Sequence, residues 1–593
     1  MRSFIRTTVF GLATVLATAL VPSEAFACGG FFCNQAQPVN QAAEGIIFAD
    51  NGDGTVTAVI QIQYQGPSTA FSWLLPISSV PKSDSDIGIA SNLALQRLQT
   101  ATNPNYSLNT KIEGTCRQQN LNSGGFASGG SASVGAGPPN ISDGGHGVTV
   151  EASGVVGKFE WAVISLDQSL AEPADAAVEW LTANGYDVPS SAPKLLGPYL
   201  QEGLFLLALK LTKGADTGSI RPIVLTYAGT QPSIPVKLTA VAANDDMGVL
   251  TWVLGKSRAV PQNYLSLELN EARINWFNAS SNYNLVVSLA ADDAGGQGFV
   301  TEFAGESSTL KSTIWSSNDE ANWAAFSGGL YQSFSQFFNQ AYSQYGQYDG
   351  FWDATGDAVT LPTNVRFEDF KLCPSCYADQ IQFSPSQYLA ALKKSVIDPM
   401  KLVQNLIDAH PEITRLYTTL SAAEMTLDPL FTFNADLPGV SNLHTADRII
   451  ECNPNVYQSD APWRIELPQG GVIRGIGSQT GTWPDFGALS PNLRIVRTGA
   501  TGSGRVLEDN AAEIDVALAA YNAGVPTSVT GSGGSGATGG SGPMDAGGTS
   551  NLTGGGGGCS VTGKSSQFGA VLGLAALAAI LVRRRRLGLW SQA

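Results

Sequence analysis

Four turn-forming residues, Asn51-Gly52-Asp53-Gly54, lie between two apolar stretches and leave this part of the chain little choice of fold. From Thr55 to Tyr64 the residues alternate: Val56, Ala58, Ile60, Ile62 and Tyr64 share one face, and Thr57, Gln61 and Gln63 the other, with Val59 the exception. A period of two marks a half-buried strand. The turn residues supply the backbone freedom that a tight reversal needs, so Glu44–Ala49 is expected to pair back as a hairpin. Asp50 and Asp53 do not have calcium-loop spacing, and a plain turn is the expectation there.

Further along, strands and helices mix. Ile87, Ala90, Ala94 and Leu98 share a helical face, so Ile87–Leu98 is expected as a helix. Strands are expected over Phe159–Leu166, Leu204–Leu211, Ile220–Tyr227, Ile234–Val241 and Val249–Leu254, with a helix over Ala174–Asn184 closed by Gly185. Ser123–Gly147, rich in small residues, reads as a surface insertion. The fold class is therefore α+β: a strand-rich N-terminal domain over residues 28–305, then a helix-rich second region over 306–523. In that region Tyr331, Phe334, Phe338, Tyr342 and Tyr345 recur at helical spacing. Such a stripe could stack on sugars, but a buried helix face is the plainer expectation. Ser384-Pro385 opens a helix that Pro399 should kink or end, and Met400–Ala409 makes a second piece. Ser421–Glu424 has capping-box spacing. Short strands near Trp463–Leu467 and Leu493–Arg497 and a helix over Asn510–Tyr521 complete the region.

The two ends speak of export. Arg2 and Arg6, an apolar run from Val9 to Val21, and Ala25-Phe26-Ala27 form the three parts of a secretory signal, so residues 1–27 are expected to be removed after Ala27 by signal peptidase. Lipidation of Cys28, which would then be the first residue, is the lesser alternative. Residues 524–558 are almost all Gly, Ser, Thr and Ala and cannot bury enough surface to fold, so a disordered linker is expected. Residues 559–593 hold Cys559, the 15-residue apolar run Phe568–Val582, expected as an apolar helix, and Arg583, Arg584, Arg585 and Arg586. The run is short for a membrane span, yet the arginines would hold its C-terminal end inside the cell. Gly558-Cys559-Ser560, the apolar run and the arginine block together resemble the myxobacterial C-terminal sorting tag. That resemblance implies anchoring in the membrane, removal by a rhomboid-like protease and display on the cell surface.

Composition excludes one class of partner. The formal charge is −16 and only 14% of residues are charged, which opposes binding to nucleic acid. With Cys559 set aside, six cysteines remain in an exported chain, an even number that suggests three disulfides. The pairing expected is Cys28–Cys33, Cys373–Cys376 and Cys116–Cys452, although spacing alone cannot choose among the alternatives.

Catalytic chemistry is sparse. His146 sits in the glycine-rich insertion, His410 precedes Pro411 at a helix end, and His444 has Asp447 three residues on. No metal site, cofactor site or catalytic residue is assigned from these. Cys373-Pro374-Ser375-Cys376 could exchange disulfides, but a redox pair is normally set between a strand and a helix. Tyr377–Phe383 after it alternates like a strand, so a structural bridge is expected. Asp292, Asp293 and Glu302 could serve a carboxylate-based hydrolase. In an acidic chain such residues are more often solvated surface.

Five segments carry a wider likeness: Ala27-Cys28-Gly29-Gly30-Phe31-Phe32-Cys33, Ile60–Gly66, Phe71–Pro76, Ala183–Pro189 and Asp246–Gly255. Together they resemble a family of uncharacterised bacterial envelope proteins, domain of unknown function 2330, over roughly Cys28 to Gly305. The resemblance implies an envelope location and no mechanism. The reading that results is an exported, surface-anchored protein that binds or scaffolds an envelope glycan or protein. An envelope enzyme, either a thiol oxidoreductase or a carboxylate hydrolase, and a structural coat component are the alternatives.

Overall fold

Thr55–Gln65 and Asn40–Asp50 pair antiparallel, with Ile60 opposite Ile46 and Ala58 opposite Phe48. In the turn between them Asp50 Oδ1 accepts from the Gly52 amide at 3.1 Å and Asp53 Oδ1 from the Thr55 amide at 2.9 Å. The carboxylates thus close the turn, as the spacing predicted. Val56, Ala58 and Ile60 enter one apolar cluster and Val59 enters another on the opposite face. Val59 breaks the alternation because this sheet is covered on both sides.

The computed structural model describes residues 31–32, 40–65, 72–82, 86–117, 147–167, 169–186, 188, 191–211, 220–229, 231–240, 243–477, 483–487 and 489–525. The hairpin is part of a mixed ten-stranded sheet. Its spatial order is Arg505–Asp509, Asn492–Arg497, Leu265–Leu269, Gly298–Glu306, Glu412–Leu420, Ala243–Gly255, Asn40–Asp50, Thr55–Gln65, Ile223–Ala228 and Ile87–Ile89. Ala243–Gly255 runs parallel to Asn40–Asp50 and antiparallel to Glu412–Leu420.

One face of this sheet packs on an antiparallel five-stranded sheet ordered Phe31–Phe32, Ser72–Ile77, Phe205–Leu211, Phe159–Leu166 and Val148–Val156. Trp73, Leu75, Trp161 and Leu209 meet Phe48, Ile60, Val249 and Leu416 there. Helices Pro173–Ala183 and Ala192–Gln201 cover the outer side of the smaller sheet through Trp180, Leu181 and Leu196. On the other face of the large sheet, Trp252, Leu254 and Ile413 meet the helices Asn92–Thr102, Phe334–Tyr345 and Asp398–Ala409. The aromatic stripe belongs to this layer: Phe334, Phe338 and Tyr345 are buried, while Tyr342 is 52% exposed at its rim. A four-stranded sheet, ordered Val472–Ile476, Pro462–Glu466, Leu443–Glu451 and Asn105–Glu113, shares a third cluster with the helix Tyr283–Asp293.

The fold is α+β, as expected, with a large sheet and a helical region. Strands from 412 to 509 complete the sheet begun at residue 40, and the expected boundary at 305 falls inside the strand Gly298–Glu306. Ile87–Ile89 is an edge strand rather than the first turn of a helix, because Ile223–Ala228 satisfies its backbone and β-branched residues suit that edge. Val236–Thr239 is a helical turn instead of a strand; Pro235 removes a backbone donor at its start. Tyr377–Phe383 is mostly 3₁₀ helix, with Gln382–Phe383 alone pairing as a strand. Ser421 donates its amide to Glu424 Oε2 at 2.8 Å, as capping-box spacing suggests, but a turn follows and no helix.

Candidate functional site

Two glycines, Gly45 and Gly248, leave room on the helical side of the large sheet, and a cavity of about 400 Å³ opens there. The end of Asn92–Thr102 brings Gln99 and Asn103 to it, the start of Tyr283–Asp293 brings Tyr283 and Asn284, and the sheet brings Gln61, Trp252 and Tyr417. Tyr106 closes one side from the first strand of the four-stranded sheet.

Glu302 lies in the wall, 3% exposed. The ladder between Gly298–Glu306 and Glu412–Leu420 slips one residue at this point, which places a carboxylate where an alternating strand would not. Tyr283 donates its phenol hydrogen to Glu302 Oε1 at 2.6 Å, and Arg415 Nε donates to Oε2. Arg415 Nη1 donates further to the Gln99 carbonyl at 3.0 Å and to Thr102 Oγ1 at 3.1 Å. Trp252 Nε1 donates to that same hydroxyl at 3.0 Å. Burial pushes the Tyr283 phenol well above its ordinary value, with the Glu302 charge adding to it. Burial also raises Tyr106, reinforced by Glu271 and Glu302, and lifts Tyr417 to about 12. These phenols stay neutral at physiological pH, and Tyr283 uses its hydrogen to hold Glu302.

A second cavity, about 600 Å³, lies across a wall of Tyr106, Tyr283 and Glu302. Here the His444 ring stacks on Tyr106 with centroids 4.4 Å apart, and His444 Nδ1 is 2.7 Å from Glu271 Oε1. Glu271 is 3% exposed. A third cavity, about 450 Å³, opens beside Phe48, Leu75 and Tyr199, with Lys237 and Asp428 at its polar end.

The residues singled out from sequence fare unequally. Asp447, three residues from His444, pairs with Lys111 at 2.6 Å instead. His444's partner is Glu271, 173 residues away, a contact that no local spacing announces. His410 holds the Asp50 carbonyl at 3.0 Å and the Leu406 carbonyl at 2.7 Å, pinning the hairpin turn to a helix end. Among the described residues no group of three or more His, Cys, Asp or Glu could hold a metal ion.

Asp292 and Asp293 do not join Glu302. Asp292 lies beside the Glu424 carboxyl, and Asp293 Oδ2 lies 3.3 Å from Asn492 Nδ2. The one-residue slip that brings Glu302 inward and the helix end that carries both aspartates toward the surface separate them. Cys116 and Cys452 are bridged, Cα atoms 4.8 Å apart, at adjacent ends of the parallel strands Asn105–Glu113 and Leu443–Glu451. Gly114 precedes this bridge with φ of 82°, and a Cβ there would meet the Cys452 carbonyl at 2.3 Å. Cys373 and Cys376 are bridged as well. Cys373 follows the helix Phe367–Leu372 and Cys376 stands inside the 3₁₀ segment Pro374–Gln380, so a helix and not a strand leads into the pair. Ala27, Cys28, Cys33, His146, Cys559 and Arg583–Arg586 lie outside the described residues. Among the described residues no helix is long and apolar enough to cross a membrane.

No curated protein and no solved structure matches the chain. Residues 22–315 match the model of a family described as an uncharacterized protein conserved in bacteria, and through them the chain belongs to the domain of unknown function 2330 family.

Proposed function

We propose that the protein is an exported, surface-anchored component of a bacterial envelope that binds a neutral glycan without cleaving it. The observation that carries the binding half is the lining of the 400 Å³ cavity: Tyr106, Trp252 and Tyr417 beside the amides of Gln61, Gln99, Asn103 and Asn284. Sugar rings offer apolar C–H faces to aromatic rings and hydroxyls that both donate to and accept from amides. Glycoside hydrolysis needs two carboxyl groups free to protonate and attack. Glu302 already accepts from Tyr283 and Arg415 on its two oxygens, an arrangement suited to holding a ligand. The residues stand on strands and helix ends, so little ordering is lost on binding.

Support for the envelope half comes from Arg2, Arg6 and Ala25-Phe26-Ala27 at one end and from Cys559, the apolar run and Arg583–Arg586 at the other. Signal peptidase and a rhomboid-like protease are the processing partners in this reading. Mass spectrometry of the mature protein should find Cys28 first and the arginine block gone; an intact tail replaces sorting with permanent anchoring.

The binding test is retention of the purified protein on an array of bacterial envelope glycans. Selective retention is expected, weakened about tenfold when Gln99→Ala and Asn284→Ala remove two amides. No selective retention, or retention unchanged in that variant, ends the reading. A second reading, a thiol oxidoreductase, rests on the exposure of Cys376 within the Cys373–Cys376 bridge. It requires that the reduced protein reduce insulin and that Cys376→Ser abolish this.

A further inference from the structure

The larger cavity, across the Tyr106 wall, has a polar lining with two loose ends. Most of its charged groups are closed on one another. Arg494 Nη1 is 3.2 Å from Glu268 Oε2 and its Nε is 2.9 Å from Asp509 Oδ2. Glu302 is closed by Arg415 and Tyr283. The exceptions are Glu271 and Arg258. Glu271 Oε1 meets His444 Nδ1 at 2.7 Å, but Oε2 is buried with no hydrogen-bond partner. Arg258 gives Nη1 to the Pro438 carbonyl at 2.9 Å, while its buried Nε also has none. These are the two buried side-chain atoms without partners among the described residues lining this cavity. A buried carboxylate oxygen and a buried guanidinium N–H each cost about 1–3 kcal/mol when left unpaired, more where charged. Native proteins rarely leave both beside one space unless something fills it.

We propose that this cavity is a binding site for a small zwitterion of the amino-acid class, its ammonium donating to Glu271 Oε2 and its carboxylate accepting from Arg258. The chemistry follows from the loose ends. The acceptor is anionic and calls for a cationic donor, the donor is cationic and calls for an anionic acceptor, and charge-assisted bonds are the strong ones. Tyr106 and His444 lie beside Glu271 in the lining, and a tyrosine ring near an ammonium group attracts it. A volume of about 600 Å³ lies within the range of small-molecule sites and leaves space for a side chain. The site shares the Tyr106 wall with the glycan cavity, but its charged anchors, Glu271 and Arg258, and its ligand class are its own.

The test is calorimetric titration of the full-length protein with free alanine, lysine and glutamate, and with propylamine and propionate as half-ligands. At least one amino acid should bind, and each half-ligand should bind at least tenfold more weakly. Glu271→Gln and Arg258→Gln should each weaken the amino acid about tenfold or more. If Glu271→Gln does not fold by circular dichroism, Ser503→Trp, at an exposed position of the lining, decides by filling the mouth and abolishing binding. Absence of binding by all three amino acids overturns the proposal, leaving water on the two atoms. So do half-ligands that match the amino acid, or binding unchanged in Ser503→Trp. The glycan array and this titration use different probes, so either reading can fail without the other.

Discussion

Arg221 shows how one side chain answers for defects elsewhere. Pro399 has no N–H to donate to the Ser395 carbonyl four residues back. The chain takes a π turn over Lys393–Ile397 and continues as Asp398–Ala409, so the proline neither ends the helix nor leaves that carbonyl empty. Arg221 Nη1 donates to Ser395 O at 2.7 Å, through a gap that exists because residue 350 is glycine; a Cβ there would meet that carbonyl at 2.2 Å. Arg221, 4% exposed, is paired with Asp349 at 3.3 Å. Asp349 also accepts from the Asn92 amide at 2.7 Å and from the Ser91 hydroxyl, capping the helix Asn92–Thr102 from across the fold. Asp349→Ala therefore strands a buried cation and uncaps a helix, and should cost about 3–5 kcal/mol in urea unfolding. Ser91→Ala, which removes one donor, should cost about 1 kcal/mol. Equal small losses would show that the pair does not hold these elements. The opposite sign is expected at Asp292. Burial, then the Glu424 carboxyl beside it, raises its pKa, and Asp246 is raised by burial with Asp292 and Asp245 near it. A carboxyl whose folded pKa is raised carries a penalty that is full above that pKa, shrinks as pH falls through it, and is gone below the unfolded value. Asp292→Asn should thus raise the urea midpoint at neutral pH, with the difference closing in acid. A midpoint that falls at neutral pH would sink this account.

Elements were legible where one surface decided them. Thr55–Gln65, Phe159–Leu166 and Phe205–Leu211 alternate or run apolar because each lies in a sheet with a buried face, and each emerges near its expected bounds. Pro173–Ala183 ends as its sequence suggests, with Gly185 at φ 76°. Ile87–Ile89 and Val236–Thr239 were illegible because distant strands and a neighbouring proline, and not their own periodicity, settled them. The candidate site was harder to read. Glu302 could be named from sequence only among other acids, whereas Tyr106, Glu271 and Arg415 carry no local signal and meet through pairings hundreds of residues apart. The bridge Cys116–Cys452 belongs to this scale, since it locks the parallel strands that carry Tyr106 and His444. It closes a separation of 336 residues, for which loop entropy gives about 6 kcal/mol. Replacing both cysteines by serine should lower stability by up to about that amount. It should also weaken whichever ligand the Tyr106 wall serves. An unchanged unfolding midpoint would mean that the strand ladder alone holds this sheet.

At the scale of the whole molecule, the family match and the folding unit do not coincide. The match ends at residue 315, yet Glu412–Leu420 lies between Ala243–Gly255 and Gly298–Glu306 and supplies hydrogen-bond partners to both. The helical cluster that buries Ile47, Val59, Trp252 and Leu254 is built largely from residues 326–407. The boundary expected at 305 is where the family likeness ends, and soon after it the sequence turns from alternating strands to a helical stretch with an aromatic stripe. Composition reports what each segment buries and is silent on which segment it is buried against. A chain ending at residue 315 would keep the five-stranded sheet and its two helices but would bare the centre of the large sheet on one edge and one face. Unpaired sheet edges and apolar faces of that size drive association. Residues 28–315 produced alone should therefore bind hydrophobic dye, lose fixed tertiary signal and unfold without a sharp urea transition. The chain through residue 525 should unfold cooperatively, with a slope in keeping with its size. A cooperative transition in the shorter chain would make the matched segment a domain in its own right, and the large sheet a later elaboration upon it.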